Sequence, residues 1–263
     1  MPLTVQTPLT EVPNMLPEPT IGIFGKLPAH GDFLHRNLPS KLVNEWDAWL
    51  QTFVGSSQEY LGEGWLDTYL TSPIWRFSFS SGVLDDQRWA GIVLPSVDRV
   101  GRYFPFSILA ALGPQHHPCE FMANQQLWFE ALEGLALKSL DGQLQVDALV
   151  NELKALPKFK TSIYQRQTSA AANAGVVVDM DFEDPTFSGT MPHHLDAFVA
   201  ATHKSYSVWS TMGSDKVEPC SFISNHLPPV SGASALLDGL WEHWGWSVPV
   251  RPIVEQEAQG ILD

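Results

Sequence analysis

Residues 104–112, F-P-F-S-I-L-A-A-L, hold almost nothing but apolar side chains, and this run constrains the fold more than any other stretch of the chain. Successive side chains of a strand point to opposite faces, so a strand that is apolar throughout needs cover on both faces of its sheet. The run therefore reads as a central strand with helices packed above and below it. Residues 75–80 show a different pattern: Trp75, Phe77 and Phe79 alternate with Arg76, Ser78 and Ser80, which predicts a half-buried strand with its rings on one side. Further strands are expected at residues 21–24, 89–94, 176–178, 205–211 and 220–223.

The helical segments follow from period. Leu42, Val43, Trp46, Trp49, Leu50, Phe53 and Val54 recur at spacings of three and four, the mark of an amphipathic helix with a large aromatic face, and Ser40 stands where an N-cap is wanted. A second helical segment is expected near residues 65–70. A long one is expected over 120–140, with Phe121, Trp128, Leu132 and Leu135 on one stripe, and another over 146–156, ended by Pro157. A further helix is expected after His193, and residues 158–174, polar and Ala-rich, read as a connection. Together these predict an α/β chain, a three-layer α-β-α sandwich with a mixed, largely antiparallel central sheet and helices on both faces. The expected organisation is a flexible Pro-rich leader over residues 1–19, one α/β domain over 20–245 and an acidic C-terminal tail over 246–263, with no internal repeat.

Charge narrows the functions open to such a chain. Its 29 acidic and 15 basic residues give a net charge of −14, and the cations are not clustered, which argues against binding nucleic acid. The excess is lopsided: from Val178 onward there are 12 acidic and 3 basic residues, a net of −9. Residues 1–20 carry no basic side chain, and nowhere do 18 uncharged apolar residues run together, so neither a secretory leader nor a membrane insertion is expected and the compartment is expected to be the cytoplasm. Cys119 and Cys220 are expected to be free thiols.

Catalytic signatures are weak. Gly25-Lys26 lacks the rest of a phosphate loop, since Leu27-Pro28 follows where a hydroxyl residue and a helix should begin; Gly25 and Gly31 read instead as turn glycines, with Asp32 as a turn cap. The pairs His116-His117 and His193-His194 project in different directions and have no H-E-x-x-H or C-x-x-C companion, so neither a metal nor a cofactor is expected. No G-x-S-x-G elbow occurs. The cluster Asp98, Arg99 and Arg102, set in a short loop between two apolar runs, has two readings: ion pairs that hold the loop, or an exposed anchor for a partner.

Several motifs, in order, resemble one bacterial family. G-K-L-P-A-H-G-D-F at 25–33, W-D-A-W at 46–49, S-P-I-W-R-F at 72–77 and A-G-I-V-L-P-S-V-D-R-V-G-R-Y-F-P at 90–105 are similar to the TagF family of type VI secretion-associated proteins. The similarity continues through S-Y-S-V-W-S at 205–210, Gly213-Ser214, H-L-P-P at 226–229 and A-L-L-D-G at 235–239. The chain departs from the family where Val208-Trp209 stands for a usual tandem tryptophan, and where His226 stands for a common glycine. The resemblance implies a cytoplasmic, post-translational repressor of type VI secretion with an α-β-α fold, acting by contact with secretion proteins such as the forkhead-associated scaffold protein. No small-molecule substrate is expected. The partner surface is expected to draw on Lys26, Asp32, Asp98, Arg99, Arg102 and Trp209. A hydrolase or phosphatase using Asp32, Asp98 and nearby histidines, or a structural accessory subunit of the apparatus, is the alternative.

Overall fold

In the computed structural model, which describes residues 20–157, 159–160, 164, 175–181 and 185–252, the strands are β1 (Ile21–Gly25), β2 (Leu34–Arg36), β3 (Trp75–Phe79), β4 (Arg88–Leu94), β5 (Phe106–Leu112), β6 (Tyr206–Thr211) and β7 (Cys220–Asn225). They form one sheet in the order β2-β1-β5-β4-β3-β6-β7. Each neighbouring pair is antiparallel, so the sheet is not mixed. The apolar β5 lies inside it between β1 and β4, as its composition requires.

Helices cover both faces. Against one lie α1 (Ser40–Leu61), α2 (Trp65–Leu70) and α7 (Ala235–Asp238); against the other lie α3 (Pro118–Asn124), α4 (Gln126–Leu140), α5 (Val146–Ala155) and α6 (Phe187–Thr202). The alternation of the strands sorts the core into two. Ile23, Ile92, Ile108 and Ala110 meet Phe121, Phe129 and Leu132, while Phe24, Phe77, Phe79, Leu109 and Trp209 meet Trp46, Trp49 and Phe53. The three-layer α-β-α sandwich is therefore present.

Several local expectations need correction. β3 is buried along its whole length rather than half-buried: both oxygens of Glu133 on α4 bind Arg76, at 2.6 and 2.8 Å, Gln126 Oε1 accepts from it at 2.6 Å, and Ser78 Oγ is buried with no hydrogen-bond partner among the described residues. The expected helix over 120–140 is two helices. Gln125 interrupts it because its side-chain amide donates to Lys160 O (3.0 Å) and accepts from Lys160 N (3.2 Å), which fixes its backbone outside helical geometry. Ser40 is the first residue of α1, and Pro39 occupies the cap position without a side-chain bond. Residues 176–178 form no strand: β-branched composition alone does not make one without a neighbour in the sheet. α6 begins before His193, at Phe187, where Thr186 Oγ1 accepts from Gly189 N at 3.3 Å.

The leader over 1–19 lies outside the described residues, as does most of 158–174 and the end of the tail. The domain does not close at residue 245. Trp246 packs on Phe222 and Trp241, with ring centroids 4.9 and 5.5 Å away, and donates to Gly232 O at 2.8 Å. Among the described residues no helix is long and apolar enough to cross a membrane.

Candidate functional site: a braced loop at one end of the sheet

The ends of β1 and β4 and the start of β5 converge at one end of the sheet, and two loops leave it side by side: residues 26–33 and residues 95–105. Glycine is required at their junction. Gly25 has φ of 122°, and a Cβ there would stand 2.0 Å from Pro105 O. Gly31, also expected to need positive φ, does not adopt it.

Asp98 is the centre of the arrangement. Its Oδ1 accepts from the backbone N–H groups of Val100 (3.0 Å) and Arg102 (2.9 Å); its Oδ2 accepts from Lys26 Nζ (3.0 Å) and Arg102 Nε (2.7 Å). Four donors fill the acceptor sites of one carboxylate. Burial works to raise the carboxyl's pKa, but the hydrogen bonds from the Arg102 N–H, the Lys26 ammonium, the Arg102 guanidinium and the Val100 N–H outweigh it and hold it well below the usual carboxylate range. Such a group holds geometry and does not exchange protons near neutral pH.

Further bonds lock the two loops together. Arg99 N donates to His30 O at 2.9 Å, Arg102 Nη2 donates to Gly31 O, and Ser96 Oγ donates to Lys26 O at 2.7 Å. Tyr69 of α2 clamps the base: its hydroxyl accepts from Ser96 N and donates to Ser96 O, both at 3.0 Å, and burial pushes its phenol well above the ordinary value. The ammonium of Lys26 lies 4.8 Å from the centre of the Phe33 ring, which in turn meets Phe104 edge-on at 4.9 Å.

The six residues expected at a partner surface thus separate. Lys26 and Asp98, with side chains 6% and 0% exposed, form the base. Arg99, Arg102 and Asp32 reach solvent, joined by Phe33 and Val100, which sequence reasoning passed over. Arg102 does both, bonding Asp98 through Nε while its side chain remains 58% exposed. Among the described residues Asp32 makes no side-chain hydrogen bond, so it does not cap the turn there, and the Arg99 guanidinium likewise has none. Trp209 is not part of this surface. It is 0% exposed, in β6, packed among Trp46, Phe77 and Phe222.

Two other buried polar centres escape sequence reading because their partners are far away in the chain. One is Arg76 with Glu133 and Gln126. The other is Asp196, fully buried on α6, which accepts from Cys119 N (2.9 Å) and Glu120 N (3.0 Å) at the start of α3 and from Tyr206 Oη (2.6 Å). One member of each histidine pair packs on aromatic rings. His116 lies edge-on to Phe121 and Phe159, and His193 faces the Tyr164 ring at 4.1 Å. Among the described residues no group of three or more His, Cys, Asp or Glu is placed to hold a metal ion.

Architecture and loops together define an α-β-α domain on a fully antiparallel sheet, with one cross-braced loop pair presented at its end. Residues 22–156 match the family model described as the TagF N-terminal domain, type VI secretion system-associated. The chain belongs to the TagF family of type VI secretion system-associated proteins. Among solved structures, the crystal structure of PA0076 from Pseudomonas aeruginosa PAO1 is similar, with a TM-score of 0.72 at 31% identity over 89% of this chain and 99% of that one. No curated protein matches the chain.

Proposed function

We propose that this protein is a cytoplasmic negative regulator of type VI secretion that acts by binding and withholding a secretion component, in the first instance the forkhead-associated scaffold protein. The observation that carries the reading is the loop at residues 98–102: its only carboxylate is consumed inside, so Arg99, Val100 and Arg102 are held outward on a rigid base. Arginine beside an apolar residue on a preorganised support makes an effective protein anchor. The saturation of Asp98 weighs against the rival hydrolase, which would need that carboxylate to accept or release a proton. This role requires neither a cofactor nor a small-molecule substrate.

Arg99→Glu is the cleanest test, because the exposed Arg99 side chain makes no hydrogen bond or ion pair among the described residues. The variant should melt with the parent, within the small change expected of an exposed substitution, yet lose capture of the purified scaffold protein and fail to lower secretion when overproduced. Unchanged capture and unchanged repression would refute the assignment of this loop. A parent that turns over a phosphoester while overproduction leaves secretion unaltered would replace the reading with the hydrolase. Stable stoichiometric incorporation into the apparatus would point to an accessory subunit.

A further inference from the structure

The braced loops hold more charged donors than their own acceptors can take. Arg102 Nη2 donates to Gly31 O, and a Cβ on Gly31 would stand 3.6 Å from Arg99 Nη2. Two guanidinium groups therefore meet at one residue of the facing loop. Each is a planar fork of five N–H donors that keeps its charge at any pH the protein meets. Like charges brought to one place repel, and an oxyanion set against both removes that cost.

The loops have no such oxyanion of their own to give. Both oxygens of Asp98 are filled by Val100 N, Arg102 N, Lys26 Nζ and Arg102 Nε. The carbonyls of His30 and Lys26 are taken by Arg99 N and Ser96 Oγ. That leaves Asp32, exposed and next to Gly31 in the chain, whose carboxylate makes no hydrogen bond or ion pair with either guanidinium among the described residues. Lys26, Arg99 and Arg102 against Asp32 and Asp98 leave residues 26–33 and 95–105 with an excess of positive charge, on a chain whose net charge is −14.

Apolar surface stands beside these groups. Phe33 and Val100 are 51% and 65% exposed, and Val100 lies in the same short turn as Arg99 and Arg102. An exposed ion pair alone contributes little, because water serves both charges well. An oxyanion carried next to an apolar side chain gains from both kinds of contact, and the locked backbone beneath lowers the entropy lost on binding.

We propose that Arg99 and Arg102 form an oxyanion-binding site at Gly31, which takes a carboxylate or phosphoryl group on a protein segment whose adjacent apolar side chain rests on Phe33 and Val100. Arg99 binds the oxyanion with its whole fork, and Arg102 with Nη1, the nitrogen used by neither Asp98 nor Gly31. This deepens the sequestration reading, and rests on it for the identity of the protein that carries the segment.

The test uses the full-length chain and three synthetic peptides of roughly six residues, in which leucine alternates with glutamate, phosphoserine or glutamine. Backbone amide resonances of residues 31–33 and 98–102 are followed by NMR during titration. The glutamate and phosphoserine peptides should shift them, less at about 0.5 M than at about 0.1 M salt, and the glutamine peptide should not. A stronger response to phosphoserine marks a phosphorylated partner, and an equal or stronger response to glutamate marks an acidic one. Arg99→Gln should weaken both charged peptides roughly tenfold, while Asp32→Asn, which removes a competing carboxylate, should tighten them roughly two- to threefold. The proposal is overturned if the glutamine peptide shifts the same resonances as strongly, if Arg99→Gln binds as the parent does, or if Asp32→Asn weakens binding. Capture of the purified scaffold protein by the same variants separates the two readings. Peptide binding without capture keeps the site and removes the scaffold protein as its partner; capture that survives Arg99→Gln, with no peptide response, keeps that partner and removes the site.

Discussion

Replacing Trp209 separates a core residue from a contact residue more cleanly than any other single change. The indole is fully buried, with ring centroids of Trp49, Phe77, Phe79 and Phe222 at 6.0, 5.4, 5.5 and 6.0 Å, and its Nε1 donates to Ser207 Oγ at 2.8 Å. A tryptophan buries up to about 250 Å², and at about 25 cal/mol per Å² that gives roughly 6 kcal/mol. This is an upper bound, since denatured chains already hide part of the ring and alanine keeps the Cβ. Trp209→Ala should therefore cost about 4 kcal/mol, inside the range of 3–5 kcal/mol for such truncations. For a domain of this size that lowers the melting temperature by roughly 8–16 °C. Trp209→Phe, which keeps most of the packing and leaves Ser207 without its donor, should cost about 1–2 kcal/mol. Thermal melts and urea titration of both variants decide it, with a lower urea midpoint and an unchanged slope as the mark of lost stability alone. An alanine variant that melts within about 2 °C of the parent while losing its partner would refute the packing argument and return Trp209 to the surface.

Other perturbations test the buried polar centres. Glu133→Ala leaves the Arg76 guanidinium buried with only Gln126 and should cost about 3 kcal/mol, at the low end for a broken pair because Glu133 is partly exposed, whereas Arg76→Met with Glu133→Leu should return close to the parent in urea. His116 should govern the first loss of stability on acidification. Burial, then the positive charge of Arg88, holds its imidazole below the ordinary value, so the unfolded chain takes up the proton first; its stabilisation is complete above about pH 6.5 and falls as the pH drops below it. His116→Gln should flatten that limb of a stability-versus-pH curve. A lower limb, below about pH 4, should remain, because the Asp98 contribution is lost only as pH falls beneath the usual carboxylate range.

What the sequence discloses here depends on how far apart the determining residues are. The apolar run of β5 and the three-to-four spacing of Trp46, Trp49 and Phe53 are local signals, and both layers they imply are present. Gln125 breaks a helix through a bond to Lys160, 35 residues on, and nothing around it distinguishes it from a helix interior. Arg76 and Ser78 alternate with aromatics as they would on a solvated face, yet a carboxylate from α4 makes burial of the arginine possible. The motif around Asp98 drew attention to a loop that proves to be braced from within, but charge alone could not say which of its members point inward. That division depends on Lys26, 72 positions earlier, closing on the same oxygen as Arg102.

The two buried carboxylates share one construction. Asp98 collects donors from two loops and Asp196 from a helix start and a strand, and each ties its own element to the rest of the fold. An unsupported surface side chain loses roughly 0.5–1.5 kcal/mol of rotamer freedom on binding, and an unsupported loop loses more. Holding the backbone beneath Arg99 and Val100 in place removes the larger of these costs before a partner arrives. Asp98 therefore influences binding without touching the partner, and its loss should weaken binding mainly through disorder of the loop. Loss of Arg99 should weaken it with the scaffold intact. Hydrogen exchange at the backbone amides of residues 98–102 distinguishes these two kinds of loss, because only the first exposes those amides.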